Sequence, residues 1–203
     1  MSDRKKRAPI LPDRIVDPGT LPHATPQWRG NLPHLYKENC TYFVTFGLID
    51  AVPGHIRRKR RLEADDEPEI IAKELDPNPS IGSCLLKDPK AASIVEDALL
   101  HFQGERYALS AWCVMPNHVH AVVTPFSGFS LPEILHSWKS FSAHEINGLL
   151  GSSGPVWERE SFDHLVRNEK AFDKFASYTE NNPVTAGLCE LPEDWAFSSA
   201  RLR

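Results

Sequence analysis

Hydrophobic residues along the chain fall into two alternating kinds of period, and these lay out the elements. Thr41 to Leu48 (TYFVTFGL) is β-branched and aromatic, the composition of a strand. From Pro89 to Phe102 the apolar Ala91, Ile94, Val95, Ala98, Leu99 and Phe102 recur at helical spacing, and Gly104 ends that helix. Tyr107 to Met115 and His118 to Thr124 are strand-like and flank the turn pair Pro116-Asn117, which predicts an antiparallel hairpin. Leu131, Ile134, Leu135, Trp138, Phe141, Ile146 and Leu149 form one stripe of a second helix between Pro132 and Leu150. Val156 to Val166 reads as a short strand with a turn. Glu169 to Asn182 reads as a third helix that Pro183 stops.

The order strand, helix, strand, strand, helix, strand is that of an α+β, ferredoxin-like βαββαβ sandwich with an antiparallel sheet. A C-terminal helix bearing Tyr178 is appended to it. The 203 residues suit one domain with additions. Residues 1–33, rich in Pro and Arg and without a hydrophobic period, are expected to form an extended arm. Residues 34–190 make the domain, with a polar insertion over 53–87, and 191–203 a tail that packs back through Trp195 and Phe197.

Composition changes this picture little. With 41% hydrophobic and 25% charged residues the chain has an ordinary globular balance. No run of about 18 apolar residues exists, which excludes a transmembrane helix. The basic start MSDRKKR leads into Ala-Pro-Ile-Leu-Pro-Asp and not into an apolar segment, so export is not expected. Cys40, Cys84, Cys113 and Cys189 are widely spaced, as reduced thiols of a cytoplasmic protein would be. A net charge of −4 speaks against a protein that coats duplex DNA, while leaving room for a local basic groove. Arg57, Arg58, Arg60 and Arg61, beside Lys59, are one candidate for phosphate contact; a solvated insertion is the other reading.

Two groups of residues can carry chemistry. In Met115-Pro116-Asn117-His118-Val119-His120 the histidines alternate with Val119 on a strand, so both project from one face about 6–7 Å apart. They can hold one metal ion from one side, or simply stand half-exposed on a sheet. On the third helix, Phe172, Phe175, Ala176 and Thr179 make the inward stripe, and Tyr178 and Asn182 share its flank one turn apart. A tyrosine so placed can be a nucleophile or a packing residue with a wet tip. The amide oxygen of Asn182 is a hard donor.

Together these residues resemble the REP-associated tyrosine transposases, members of the single-tyrosine HUH transposases. The resemblance rests on Met115 to His120, on Phe162-Asp163-His164-Leu165-Val166-Arg167-Asn168-Glu169, and on Tyr178-Thr179-Glu180-Asn181-Asn182-Pro183 with Val184 to Leu188. Leu32-Pro33-His34, Tyr42 to Phe46 and Glu193 to Ala200 also look like its first strand and its end, so most of residues 32–200 takes part. It implies that His118, His120 and Asn182 bind Mg2+ or Mn2+, and that Tyr178 attacks a DNA phosphate to leave a 5′-phosphotyrosine. It also implies a single-stranded DNA partner with a palindromic hairpin, and either a monomer or a dimer. Lys139, Ser140 and Arg167 are candidate phosphate contacts, and Asp163 a candidate support for Arg167. A non-catalytic binder of DNA or RNA hairpins and a phosphodiesterase using activated water remain the competing readings.

Overall fold

Why the strands lie flat against two helical layers is visible in the parity of their side chains. The computed structural model describes residues 8–12, 15–16, 26–29, 32–35, 39–51 and 79–202. Its main sheet contains β3 (Tyr42–Gly47), β4 (Tyr107–Val114), β5 (His118–Pro125) and β6 (Phe162–Leu165), in the antiparallel order β4-β5-β3-β6. A separate antiparallel pair, β1 (Pro26–Arg29) with β2 (Leu32–Leu35), lies across the expected end of the arm at residue 33. The helices are α1 (Pro89–Leu100), α2 (Leu131–Leu150) and α3 (Glu169–Thr185). The mixed α+β architecture, the antiparallel sheet and the appended tyrosine helix are those read from the sequence.

Val44, Phe46, Val119, Ala121 and Val123 point to one face, where α1 and α2 cover them. Tyr107 and Leu109 of β4 join that core, and so do Trp112 and Val114, although their numbers differ in parity. A register shift between Leu109 and Ala111 accounts for this: one extra residue, Ser110, restores the large side chains to the core face. The opposite face carries Phe43, Ala111 and Val122, which pack with Val166 beneath Phe175 and Ala176 of α3. The third helix therefore forms its own layer.

The large polar aromatics inside the main core pair with one another and with the backbone. The Tyr107 hydroxyl donates to the Leu99 carbonyl at 2.8 Å and accepts from the Trp138 indole at 2.8 Å. Burial pushes the Tyr107 pKa up to about 12, so it stays a neutral strut. Asp88 caps α1 through the Lys90 amide at 2.8 Å, with Pro89 in the first turn, and Ser130 with Glu133 boxes the start of α2.

Two expectations need correction. Phe141 and Leu149 are not on the buried stripe of α2, being 50% and 40% exposed. Ser142 takes the inward position instead, because it accepts from the Trp157 indole at 2.9 Å and donates to the Trp138 carbonyl at 2.6 Å. Pro183 does not stop α3, which runs on to Thr185. In the last turn a proline forfeits only one amide donor, and the turn closes through Ala186 N to Asn182 O and Leu188 N to Pro183 O. Part of the N-terminal arm is also tied down: Ile10 N donates to Leu109 O at 3.0 Å, and Ser110 Oγ to Ile10 O at 2.9 Å.

The outer edge of β4 is covered at its other end by the C-terminal segment, where Val114 N donates to Phe197 O at 2.9 Å. Both covers blunt an edge that would otherwise pair with another chain. Arg57, Arg58, Arg60 and Arg61 lie outside the described residues, as does most of the 53–87 insertion. Among the described residues no helix is long and apolar enough to cross a membrane.

Candidate metal and tyrosine site

The turn at Pro116-Asn117 delivers β5 so that His118, His120 and Val122 share the face toward α3, while Val119, Ala121 and Val123 enter the main core. Both histidines are fully buried and not half-exposed on an open sheet. Their rings meet at 77° with centroids 4.6 Å apart, and the two Nε2 atoms are 3.0 Å apart. Each Nδ1 has an oxygen partner: Asn117 Oδ1 at 2.7 Å from His118, and Thr45 Oγ1 at 2.8 Å from His120. Anchoring Nδ1 in this way aims both Nε2 atoms at one point, the usual second layer of a metal-binding imidazole.

Asn117 is held in turn. Its Nδ2 donates to the Ile81 carbonyl at 2.8 Å, and its backbone carbonyl accepts from Leu48 N at 2.8 Å. Thr45 faces His120 directly across the β3–β5 ladder. Neither Asn117 nor Thr45 was singled out from the sequence. The first was legible as the residue before the histidine pair; the second lies 75 positions away and needed the strand register.

Tyr178 comes to this pair on α3. The helix starts on the Asn168 side chain, which caps Ala171 N at 2.9 Å. An aromatic column seats it: Phe43 stacks on Phe175 at 4.5 Å and on His120 at 5.6 Å. The half-buried Tyr178 ring stands edge-on to Phe43 at 5.9 Å and to His120 at 5.4 Å. Asn182, one turn further along, is 1% exposed. The Ser199 hydroxyl donates to Glu180 Oε1 at 2.7 Å, tying α3 to the C-terminal segment.

The donor set fits a hard divalent cation in part. Two neighbouring ligands of an octahedral ion at about 2.1 Å are separated by about 3 Å, the spacing of the two Nε2 atoms. Among the described residues no three His, Cys, Asp or Glu side chains form a metal-holding group. Asn182, buried on α3 one turn beyond Tyr178, offers an amide oxygen, a hard donor of another type.

Two of the candidate phosphate contacts lie away from the histidines. Lys139 and Ser140 are on α2, which packs against the sheet face opposite the histidines. The Lys139 ammonium donates to the Glu158 carbonyl at 2.6 Å, the Arg159 carbonyl at 3.1 Å and Ser161 Oγ at 3.2 Å. It thus braces the loop that leads into β6. Burial lowers its pKa to about 8, against the pull of Glu158. Ser140 is exposed, and Arg167 is exposed just before α3. Asp163 is half-buried on β6 opposite Val44.

Fold and site together define an α+β protein in which a buried histidine–hydrophobe–histidine strand lies beneath a tyrosine-bearing helix. No family model matches the chain. It is similar to the REP-associated tyrosine transposase of Escherichia coli (strain K12), with 24% identity over 107 residues, 52% of this chain and 62% of that protein. It is also similar to a putative REP-associated tyrosine transposase of Haemophilus influenzae (strain ATCC 51907 / DSM 11121 / KW20 / Rd), 24% identical over 116 residues, 49% of this chain and 60% of that protein. The chain spans about three fifths of the length of these curated relatives. Among solved structures, its fold is similar to that of a REP-associated tyrosine transposase bound to a REP hairpin, with a TM-score of 0.54 and 19% identity over 85% of this chain and 84% of that one. The resemblance to REP-associated tyrosine transposases is thus found both in sequence relatives and in a shared fold.

Proposed function

We propose that this chain is a metal-dependent endonuclease and strand transferase for single-stranded DNA, which recognises a palindromic hairpin and works through a 5′-phosphotyrosine. The observation that carries this reading is the seating of Tyr178: its ring lies 5.4 Å from His120, on the sheet face where both imidazoles converge. His118, His120 and Asn182 would hold Mg2+ or Mn2+, which when bound supplies Lewis-acid stabilisation of charge on the phosphate. The neutral donors leave the cation's charge undiminished.

The remaining chemistry belongs to the chain's own residues. Tyr178 Oη attacks the phosphorus of one phosphodiester, forming an O–P bond as the P–O3′ bond breaks. The phenolic proton leaves the tyrosine, and the departing 3′ oxygen ends as a hydroxyl. Attack of a 3′-OH on the phosphotyrosine reverses the same balance and rejoins a strand. Phe43 and Phe175 fix the depth at which the tyrosine helix rests, so that the nucleophile and the histidines keep one geometry. Arg167, exposed just before α3, would meet a backbone phosphate.

The geometry favours this reading over a passive hairpin binder. An RNA- or DNA-stacking sheet presents aromatic rings to solvent, whereas here Phe43 is fully buried under α3 and shares its face with two buried histidines. The hairpin-bound structural neighbour supports hairpin DNA as the partner. The test is incubation with Mn2+ and single-stranded DNA carrying palindromes, followed by denaturing electrophoresis. Wild type should form a protein–DNA adduct that Tyr178→Phe cannot form. An adduct that persists in Tyr178→Phe overturns the tyrosine mechanism, and cleavage without any adduct points to activated water.

A further inference from the structure

The hydrogen-bond chain through the histidine pair has a direction, and its first member decides whether the pair can accept a cation. The Asn117 Nδ2 donates to the Ile81 carbonyl, so the end of its amide facing His118 is the oxygen, which only accepts. His118 therefore carries its hydrogen on Nδ1, and its Nε2 presents a lone pair. The Nε2 of His120 lies 3.0 Å from that lone pair. Without a cation, two bare nitrogens at this distance repel, so His120 must carry its hydrogen on Nε2 and donate. With one hydrogen on the ring its Nδ1 is then bare, and Thr45 Oγ1, 2.8 Å away, must be the donor to it. The bonds run one way: Thr45 to His120, His120 to His118, His118 to Asn117, Asn117 to Ile81. Each polarises the next.

A cation needs the opposite arrangement at His120. Both Nε2 lone pairs must face it, so the His120 hydrogen has to sit on Nδ1, where Thr45 Oγ1 must now accept. We infer that Thr45 is a positioning residue that selects the tautomer of His120, donating to it in the metal-free protein and accepting from it when the pair is loaded. The hydrogen moves between two nitrogens of one ring, so no net charge or proton is gained or lost. A hydroxyl is suited to this place because it can reverse from donor to acceptor without moving its oxygen. Thr45 is 6% exposed and in register with His120 across β3 and β5, so the oxygen is held by the sheet itself. Acceptance from a cation-bound imidazole is charge-assisted and stronger than the neutral bond it replaces. Thr45 thereby favours loading. This inference rests on the proposed assignment of the pair as metal ligands.

Nitrogen-15 NMR of the full chain reads the tautomers directly. Metal-free wild type should show His118 as the Nδ1–H form and His120 as the Nε2–H form, and Mg2+ should convert His120 to Nδ1–H. In Thr45→Val, of nearly equal shape, Mn2+ binding measured by electron paramagnetic resonance should weaken about tenfold to hundredfold. Thr45→Ser should recover most of the affinity, which a purely packing role of the threonine methyl would not give. A His120 already in the Nδ1–H form without metal overturns the inference, as does wild-type Mn2+ affinity in Thr45→Val. Wild type that binds no Mn2+ is a separate result: it overturns the metal assignment under the proposed function, and the tautomer switch with it.

Discussion

Ser199 Oγ lies 2.7 Å from Glu180 Oε1, so the last residues of the chain grip the helix that carries Tyr178. Ser199 is fully buried and also accepts from Trp112 N at 3.1 Å, which links that grip to β4. A second strand of the same lock reaches the opposite layer, where Arg201 Nη2 lies 3.3 Å from Glu96 Oε2 of α1. Glu96 accepts the Trp112 indole at 3.2 Å as well. One short C-terminal segment thus spans from the tyrosine helix, past the edge strand, to the core helices.

Removing that hydroxyl should loosen α3 before it affects the rest of the fold. Ser199→Ala withdraws one bond from a buried carboxylate and one from a buried amide, a loss of about 1–3 kcal/mol. Urea unfolding should show the loss as a lower midpoint with unchanged slope. Limited proteolysis should then cut first within α3. An unchanged midpoint would mean that the segment rests on α3 without holding it.

The turn that supports Asn117 makes a second prediction. Gly82 has φ +81°, and a Cβ there would sit 2.7 Å from the Asp50 carbonyl oxygen, backbone that cannot step aside. Gly82→Ala therefore adds a clash to the cost of a left-handed alanine, together about 1–3 kcal/mol. Its neighbour Ile81 supplies the carbonyl that Asn117 holds, so Mn2+ affinity should fall along with stability. Gly128→Ala is the control: φ is +84° but nothing lies within 4 Å of the added Cβ. It should cost about 1 kcal/mol and leave Mn2+ binding unaltered. Equal losses in the two variants would remove the close approach to Asp50 from the explanation.

The elements were legible from local chemistry: β-branched and aromatic runs at β3, β4 and β5, the Pro116-Asn117 turn between the last two, and three- and four-residue steps at α1 and α3. The shared face of His118 and His120 followed from the alternation of side chains along a strand. Less legible was anything that depends on which layer covers which face. Period alone left the histidines half-exposed, whereas Phe43 and Phe175, far apart in sequence, stack to bring α3 down over them. Phe141 fitted the apolar stripe of α2 by spacing, yet the buried place went to Ser142, whose hydrogen bonds to Trp138 and Trp157 no period can announce. Pro183 misled for a similar reason: its cost depends on whether the missing amide falls in mid-helix or in the last turn. Lys139 was read as a candidate phosphate contact, and its use as a brace for residues 158–161 required the loop's carbonyls to be in place.

That brace carries a pH dependence of definite sign. Burial lowers the Lys139 pKa to about 8 in the folded chain, against about 10.5 for an unfolded lysine. Between these values the unfolded chain holds a proton that the folded chain has released, so folding stability rises with pH. Below pH 8 both states are protonated, and the contribution is lost as the pH falls through the folded value. The comparison variant is Lys139→Met, which keeps the length and apolar stem but cannot titrate. The difference in unfolding free energy between wild type and Lys139→Met should move in favour of wild type from pH 7.5 to 9.5, while groups common to both cancel. At pH 7 the variant should still suffer, because the Glu158 and Arg159 carbonyls lose their donor. A difference that stays flat across this range would mean that the three hydrogen bonds hold the ammonium charged against its burial.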